Sequence, residues 1–67
     1  MEIELNNTKT NLESEELSIS DLLVLKKFTF KLLIVKVNNT LIKRDEYSKT
    51  MIHDGDKVDV IHLISGG

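Results

Sequence analysis

The chain has 67 residues, 40% hydrophobic and 30% charged, with no Cys, Pro or Trp and a formal net charge of -2. That length fits one small domain and not two, with roughly 60% of the unfolded chain's surface buried on folding. Without Cys, and with only His53 and His62 as imidazoles, neither a disulfide framework nor a Cys-rich zinc site can supplement the core. The longest apolar runs, Leu22 to Leu25 and Leu32 to Val35, have four residues each. No membrane span is expected, and the chain reads as a soluble cytoplasmic protein.

Charge is unevenly spread. The first 25 residues set Glu2, Glu4, Glu13, Glu15, Glu16 and Asp21 against Lys9 alone. The middle carries Lys26, Lys27, Lys31, Lys36, Lys43, Arg44 and Lys49 against Asp45 and Glu46. Those lysines are scattered, and only Phe28, Phe30 and Tyr47 are available for stacking on bases. Solvated faces of a small domain, with no nucleic-acid partner, are the expectation.

In chain order, Glu2 and Glu4 alternate with Ile3 and Leu5, the period-2 pattern of a half-buried strand. Asn6-Asn7 suits a two-residue hairpin turn, because Asn tolerates the left-handed conformation. Thr8 to Leu12 is the returning strand, and Glu13 to Glu16 a polar loop. Ser18, followed three residues later by Asp21, predicts a helix start. Ile19, Leu22, Leu23, Leu25 and Phe28 then supply an apolar face, and Lys26 and Lys27 favour the C-terminal end. Lys31 to Val37, apolar on both faces, reads as a central strand. Asn38-Asn39-Thr40 breaks it, Leu41-Ile42 adds a short strand, and Asp45 to Thr50 is a turn or one helical turn. Asp54-Gly55-Asp56 is a turn, and Val58 to Ile64 is the last strand. The order is β-β-α-β-(β)-β, an α+β domain over residues 1–64 with a flexible tail, Ser65-Gly66-Gly67.

Catalysis within the chain is not expected. There is no Cys nucleophile, and no Gly-rich loop opens a helix. His53 and His62 lack a third ligand for a metal. Asp54-Gly55-Asp56 resembles a calcium loop only at its start, since the twelfth position is Ser65 rather than a bidentate Glu. The C-terminus is the informative feature. Two glycines can thread extended into a narrow enzyme channel, and Gly67 ends in a carboxylate with no side chain crowding its carbon. By composition alone, such glycines are also compatible with a frayed end.

The strand order, the Val37-Asn38 step, Ile42-x-Arg44 before Tyr47, Asp54-Gly55-Asp56 and the closing Ile64-Ser65-Gly66-Gly67 together resemble the ThiS family over essentially the whole chain. Members of that family are small sulfur carriers of thiamin (thiazole) biosynthesis with the ubiquitin-like β-grasp fold. The chain departs from the family pattern at Glu16, where Gly is common before the helix, and at Asn39-Thr40, which replaces a commoner Gly-containing turn.

The resemblance implies that Gly67 is adenylated by a ThiF-like enzyme using ATP and magnesium, with no cofactor bound by this chain. Sulfur from a cysteine desulfurase relay would then give a thiocarboxylate, from which a ThiG-like thiazole synthase takes the sulfur. If Val58 and Val60 point into the core, alternation puts Asp59, Ile61 and Leu63 on the other face as a docking patch beside the tail. A register shifted by one would invert that assignment. Lys43, Arg44 and Lys49 would steer an acidic partner or simply be solvated. The other readings are a MoaD-like carrier for molybdopterin or another pathway, a conjugated modifier, and an interaction module whose glycines are incidental. Removing the two glycines separates the last from the rest.

Overall fold

The computed structural model describes residues 1–28 and 33–63. Strand β1 (Glu2–Leu5) and strand β2 (Thr8–Asn11) form the first hairpin. Asn6 and Asn7 connect them with φ of 50° and 65°, the doubly left-handed turn whose twist matches that of the flanking strands. Asn38 and Asn39, at 51° and 68°, make the same turn between β4 (Leu33–Val37) and β5 (Thr40–Ile42). The departure from a Gly-containing turn is thus accommodated, because Asn occupies this region at modest cost. Glu16 is not among the described residues with positive φ, so its backbone conformation makes no demand for Gly.

Two further strands, β3 (Leu17–Ser18) and β6 (Met51–Ile52), pair with each other in a separate small sheet. The sequence reading missed both, because two residues carry no periodicity. A 3-10 turn at Arg44–Glu46 overlaps the start of the Asp45 to Thr50 segment, which the sequence reads as a turn or one helical turn. Strand β7 (Lys57–His62) completes a five-stranded sheet of order β2-β1-β7-β4-β5. It runs parallel to β1 and antiparallel to β4. The middle strand is therefore β7. The segment read as central, β4, is interior but lies one place further out. Lys31, Leu32 and Ile64, the outer residues of two predicted strands, lie outside the described residues.

Among the described residues the one α-helix, α1 (Ile19–Leu25), is capped by Ser18, as Ser18 and Asp21 predict. Its first three N–H groups all find acceptors: Ile19 donates to the Thr50 carbonyl, Ser20 to that of Tyr47, and Asp21 to the Ser18 hydroxyl at 3.0 Å. Seven residues cannot hold a helix in water on propensity alone. Packing holds this one: Ile19 and Leu22 are buried with Ile3, Leu5, Leu12, Val35, Ile52, Val58 and Val60 in one core cluster.

The predicted apolar face is corrected at Leu25, which is 55% exposed beside Val24 at 77%. The helix ends there, because Lys27 turns left-handed at φ 58°. Lys27 N–H then donates to the Val24 carbonyl, and Phe28 N–H to that of Leu23 at 2.8 Å. These two bonds close the helix in the Schellman manner, with Lys where Gly is usual. Phe28, half-buried, packs against the core from beyond the helix end. Lys27→Gly should therefore raise stability by about 0.5–1 kcal/mol, the left-handed penalty being partly offset by the entropy Gly loses on folding. A urea midpoint that rises at unchanged slope is the expected result.

Candidate functional site

The last strand sits in the middle of the sheet because both of its neighbours contribute buried aliphatic residues beside its own. Val58 and Val60 are buried against the helix side, with Val60 paired to Val35. Alternation then sends Lys57, Asp59 and Ile61 to the opposite, outer face. Leu63, just past the strand, continues that parity. Ile61 and Leu63 are each 43% exposed, and Asp59 is half-buried. Of the two registers that the sequence leaves open, this is the one with Val58 and Val60 inward.

Residues directly opposite one another share a face. Ile61 therefore lies beside Ile34, and Asp59 beside Lys36. Leu41, opposite Lys36 on its other side, is 60% exposed on the same face. An aliphatic group of Ile34, Leu41, Ile61 and Leu63 thus surrounds one pair of opposite charges. Toward the other edge the face becomes polar, with Lys57 beside Glu4, Glu4 beside Lys9 and Glu2 beside Asn11. Ile34 and Leu41 were not identified from the sequence. Leu41 carries a signal, since Thr40 and Ile42 flank it in a short strand, but Ile34 does not, because β4 is apolar on both faces.

The tail Ser65, Gly66 and Gly67, the predicted site of modification, lies outside the described residues. Lys43, Arg44 and Lys49 are exposed, around the 3-10 turn.

The other sequence candidates resolve into structural roles. Asp54 Oδ1 accepts from Glu2 N–H at 2.7 Å, and Asp56 Oδ2 from His53 N–H at 2.8 Å. Both carboxylates thus hold the chain around Gly55, which turns at φ 87°. His53 Nδ1 lies 3.9 Å from Asp56 Oδ2, while His62 pairs with Leu33 at the far end of β7. No group of three or more His, Cys, Asp or Glu side chains suited to a metal occurs among the described residues. None of their helices is long and apolar enough to cross a membrane.

The model of the ThiS family matches residues 2–67. The chain belongs to the ThiS family. Among curated relatives, it is 26% identical over 65 residues to the sulfur carrier protein ThiS of Bacillus subtilis (strain 168), covering 97% of this chain and 98% of that one. It is 35% identical over 54 residues to the uncharacterized protein ycf40 of Porphyra purpurea, covering 81% and 76%. Among solved structures, the crystal structure of the thiamine biosynthesis protein ThiS from Geobacter metallireducens superposes with a TM-score of 0.90 at 25% identity, covering 100% of both chains. Its solution structure gives 0.82, covering 100% of this chain and 88% of that one. The ThiS fold, a ubiquitin-like β-grasp, is the architecture of this chain.

Proposed function

We propose that this ThiS-family chain is a sulfur carrier whose Gly67 carboxylate is adenylated and converted to a thiocarboxylate for thiazole formation. The observation that supports this best is a family match running from residue 2 to the second terminal glycine, Gly67. A carrier needs a rigid body, a surface for its partners and a reactive end. Here the β-grasp supplies the first and the outer face of β7 the second. The chemistry requires little of this chain: the Gly67 carboxylate attacks the α-phosphorus of ATP and pyrophosphate leaves. The outer sulfur of a relay cysteine persulfide then attacks the acyl carbon and displaces AMP. A second partner thiol cleaves the resulting S–S bond, forming a disulfide with the relay cysteine and leaving the thiocarboxylate. ATP, magnesium and the sulfur-bearing cysteine belong to the partners, a ThiF-like activating enzyme and the relay. A ThiG-like thiazole synthase is the acceptor.

The deciding measurement is C-terminal fragment mass analysis of the protein isolated from its own cell, and again after incubation with ATP, a ThiF-like enzyme and a sulfur donor. Oxygen-for-sulfur exchange has nearly the same nominal mass as oxidation of Met1 or Met51, so the change must be localised to the fragment bearing Gly67. Sulfur there is the expected result. A terminus that stays unmodified with all three components present would overturn the reading in favour of an interaction module.

A further inference from the structure

Two asparagines hold the final strand, one at each side. In the turn after β1, Asn6 N–H donates to the Val58 carbonyl at 2.9 Å, continuing the parallel ladder. The next rung of that ladder would be the Asn6 backbone carbonyl accepting from Val60 N–H. The chain has already turned away at φ 50°, and the Asn6 side chain takes the vacated place: Val60 N–H donates to Asn6 Oδ1 at 2.7 Å. Asn38 does the same at the start of the strand on the β4 side. Its N–H donates to the Lys57 carbonyl at 2.7 Å, and its Oδ1 accepts from Lys57 N–H at 2.9 Å. Asn38 Nδ2 also donates to Asp56 Oδ1 at 3.1 Å.

The two clamps are not equivalent. Asn38 ties the strand where it begins, whereas Asn6 ties Val60, its last buried residue, immediately before Ile61 and Leu63. Parallel pairing with β1 stops at Leu5 and Val58, so the Asn6 side chain carries that edge of β7 two residues further toward the C-terminus.

We propose that Asn6 is a positioning residue for the carrier's terminal chemistry, its Oδ1 holding the β1-side edge of β7 at Val60. The β4 side is already held there by the Ile34–Ile61 and Leu33–His62 pairs, so the docking residues are presented from a strand end fixed on both sides. The inference rests on the adenylation reading above. A strand end held at Val60 lowers the cost of ordering Ile61 to Leu63 when an enzyme binds them.

The turn role and the clamp role of Asn6 are separable. Asn6→Gly keeps the left-handed turn, which Gly adopts freely, and removes the acceptor. Asn6→Asp keeps both an acceptor and tolerance of that conformation. Amide exchange and adenylation by a ThiF-like enzyme with ATP, read as pyrophosphate release, are measured on the full chain. In Asn6→Gly, Val60 N–H should exchange about tenfold faster or more while Val35 stays protected, as expected when one strand end opens locally. KM for the carrier should rise about fivefold, the scale of one hydrogen bond, with kcat nearly unchanged. Asn6→Asp should restore both.

Unchanged Val60 exchange in Asn6→Gly, or faster exchange at wild-type KM, would overturn the proposal. If Asn6→Gly does not fold, Asn6→Ala, which also lacks the acceptor, takes its place: a KM raised in Asn6→Ala and not in Asn6→Asp upholds the acceptor role, and equal KM values in the two refute it. Failure of the wild-type chain to be adenylated at all is a separate result, which removes the adenylation reading and the positioning role with it.

Discussion

Deleting Gly67 should abolish adenylation while leaving the folded body intact. The expected loss is at least about 100-fold in kcat/KM, because misplacement of a reacting group by even 1 Å can cost that much. Removing one residue draws the terminal carboxylate back by about 3.5 Å of extended chain. The shortened chain still ends on a glycine, Gly66, so the deletion tests reach and not the chemical nature of the terminus. Gly67→Ala tests the other requirement, keeping the reach and adding a Cβ beside the activated carbon. Stability should not change in either variant, since among the described residues every member of the buried core lies between Ile3 and Val60. Equal urea midpoints with adenylation lost in the deletion are the expected pair of results. Undiminished pyrophosphate release from the deleted form would remove Gly67 from the mechanism.

How far the sequence carries can be followed residue by residue. Glu2 to Leu5 has a clean period of two, so its strand and inward face are legible. The last strand is legible as a strand, but which of its faces turns inward is settled only by its pairing with β1 and β4. Asn6-Asn7 and Ser18 with Asp21 act through local hydrogen bonding and local dihedral preference, which is why the turn and the helix start are also legible. The end of the helix is not, because Lys27 performs a turn that sequence rules expect of Gly. A helix continuing through Phe28 puts Leu25 on the buried face, whereas the observed end leaves it exposed.

Long-range pairing is the other source of loss. That β7 rather than β4 lies in the middle depends on β1, more than 50 residues earlier in sequence, adding to its edge in parallel. The same pairing creates the acceptor role of Asn6, which nothing near Asn6 in sequence indicates. The aliphatic group on the outer face depends on which residues of β4 and β5 stand opposite β7, and that is likewise a property of register. Composition and periodicity lead as far as an α+β domain with a flexible end. The function proposed for that end rests on the family's motifs taken together.

Leu63→Asp should raise KM for adenylation by a ThiF-like enzyme by about 10- to 100-fold with the fold unchanged. Leu63 is 43% exposed, so it has side-chain surface still to bury. Burying a Leu side chain fully is worth about 1.5–3 kcal/mol, and a partly exposed one can contribute up to part of that range. An aspartate adds a second cost, because its charge must lose water at the interface with no partner arranged for it. Leu63 is the better probe than Ile61, which is paired across the sheet with Ile34 and whose replacement would also disturb the strand. Leu63 follows the last residue of β7 and contributes nothing to the buried core. Leu41→Asp, on the same face but two strands away, maps the footprint. A KM that rises in both variants makes the whole aliphatic group the docking surface, and a rise in Leu63→Asp alone confines it to the end of β7. Wild-type kinetics in both would remove this face from recognition by the activating enzyme and leave the terminal glycines as what that enzyme reads.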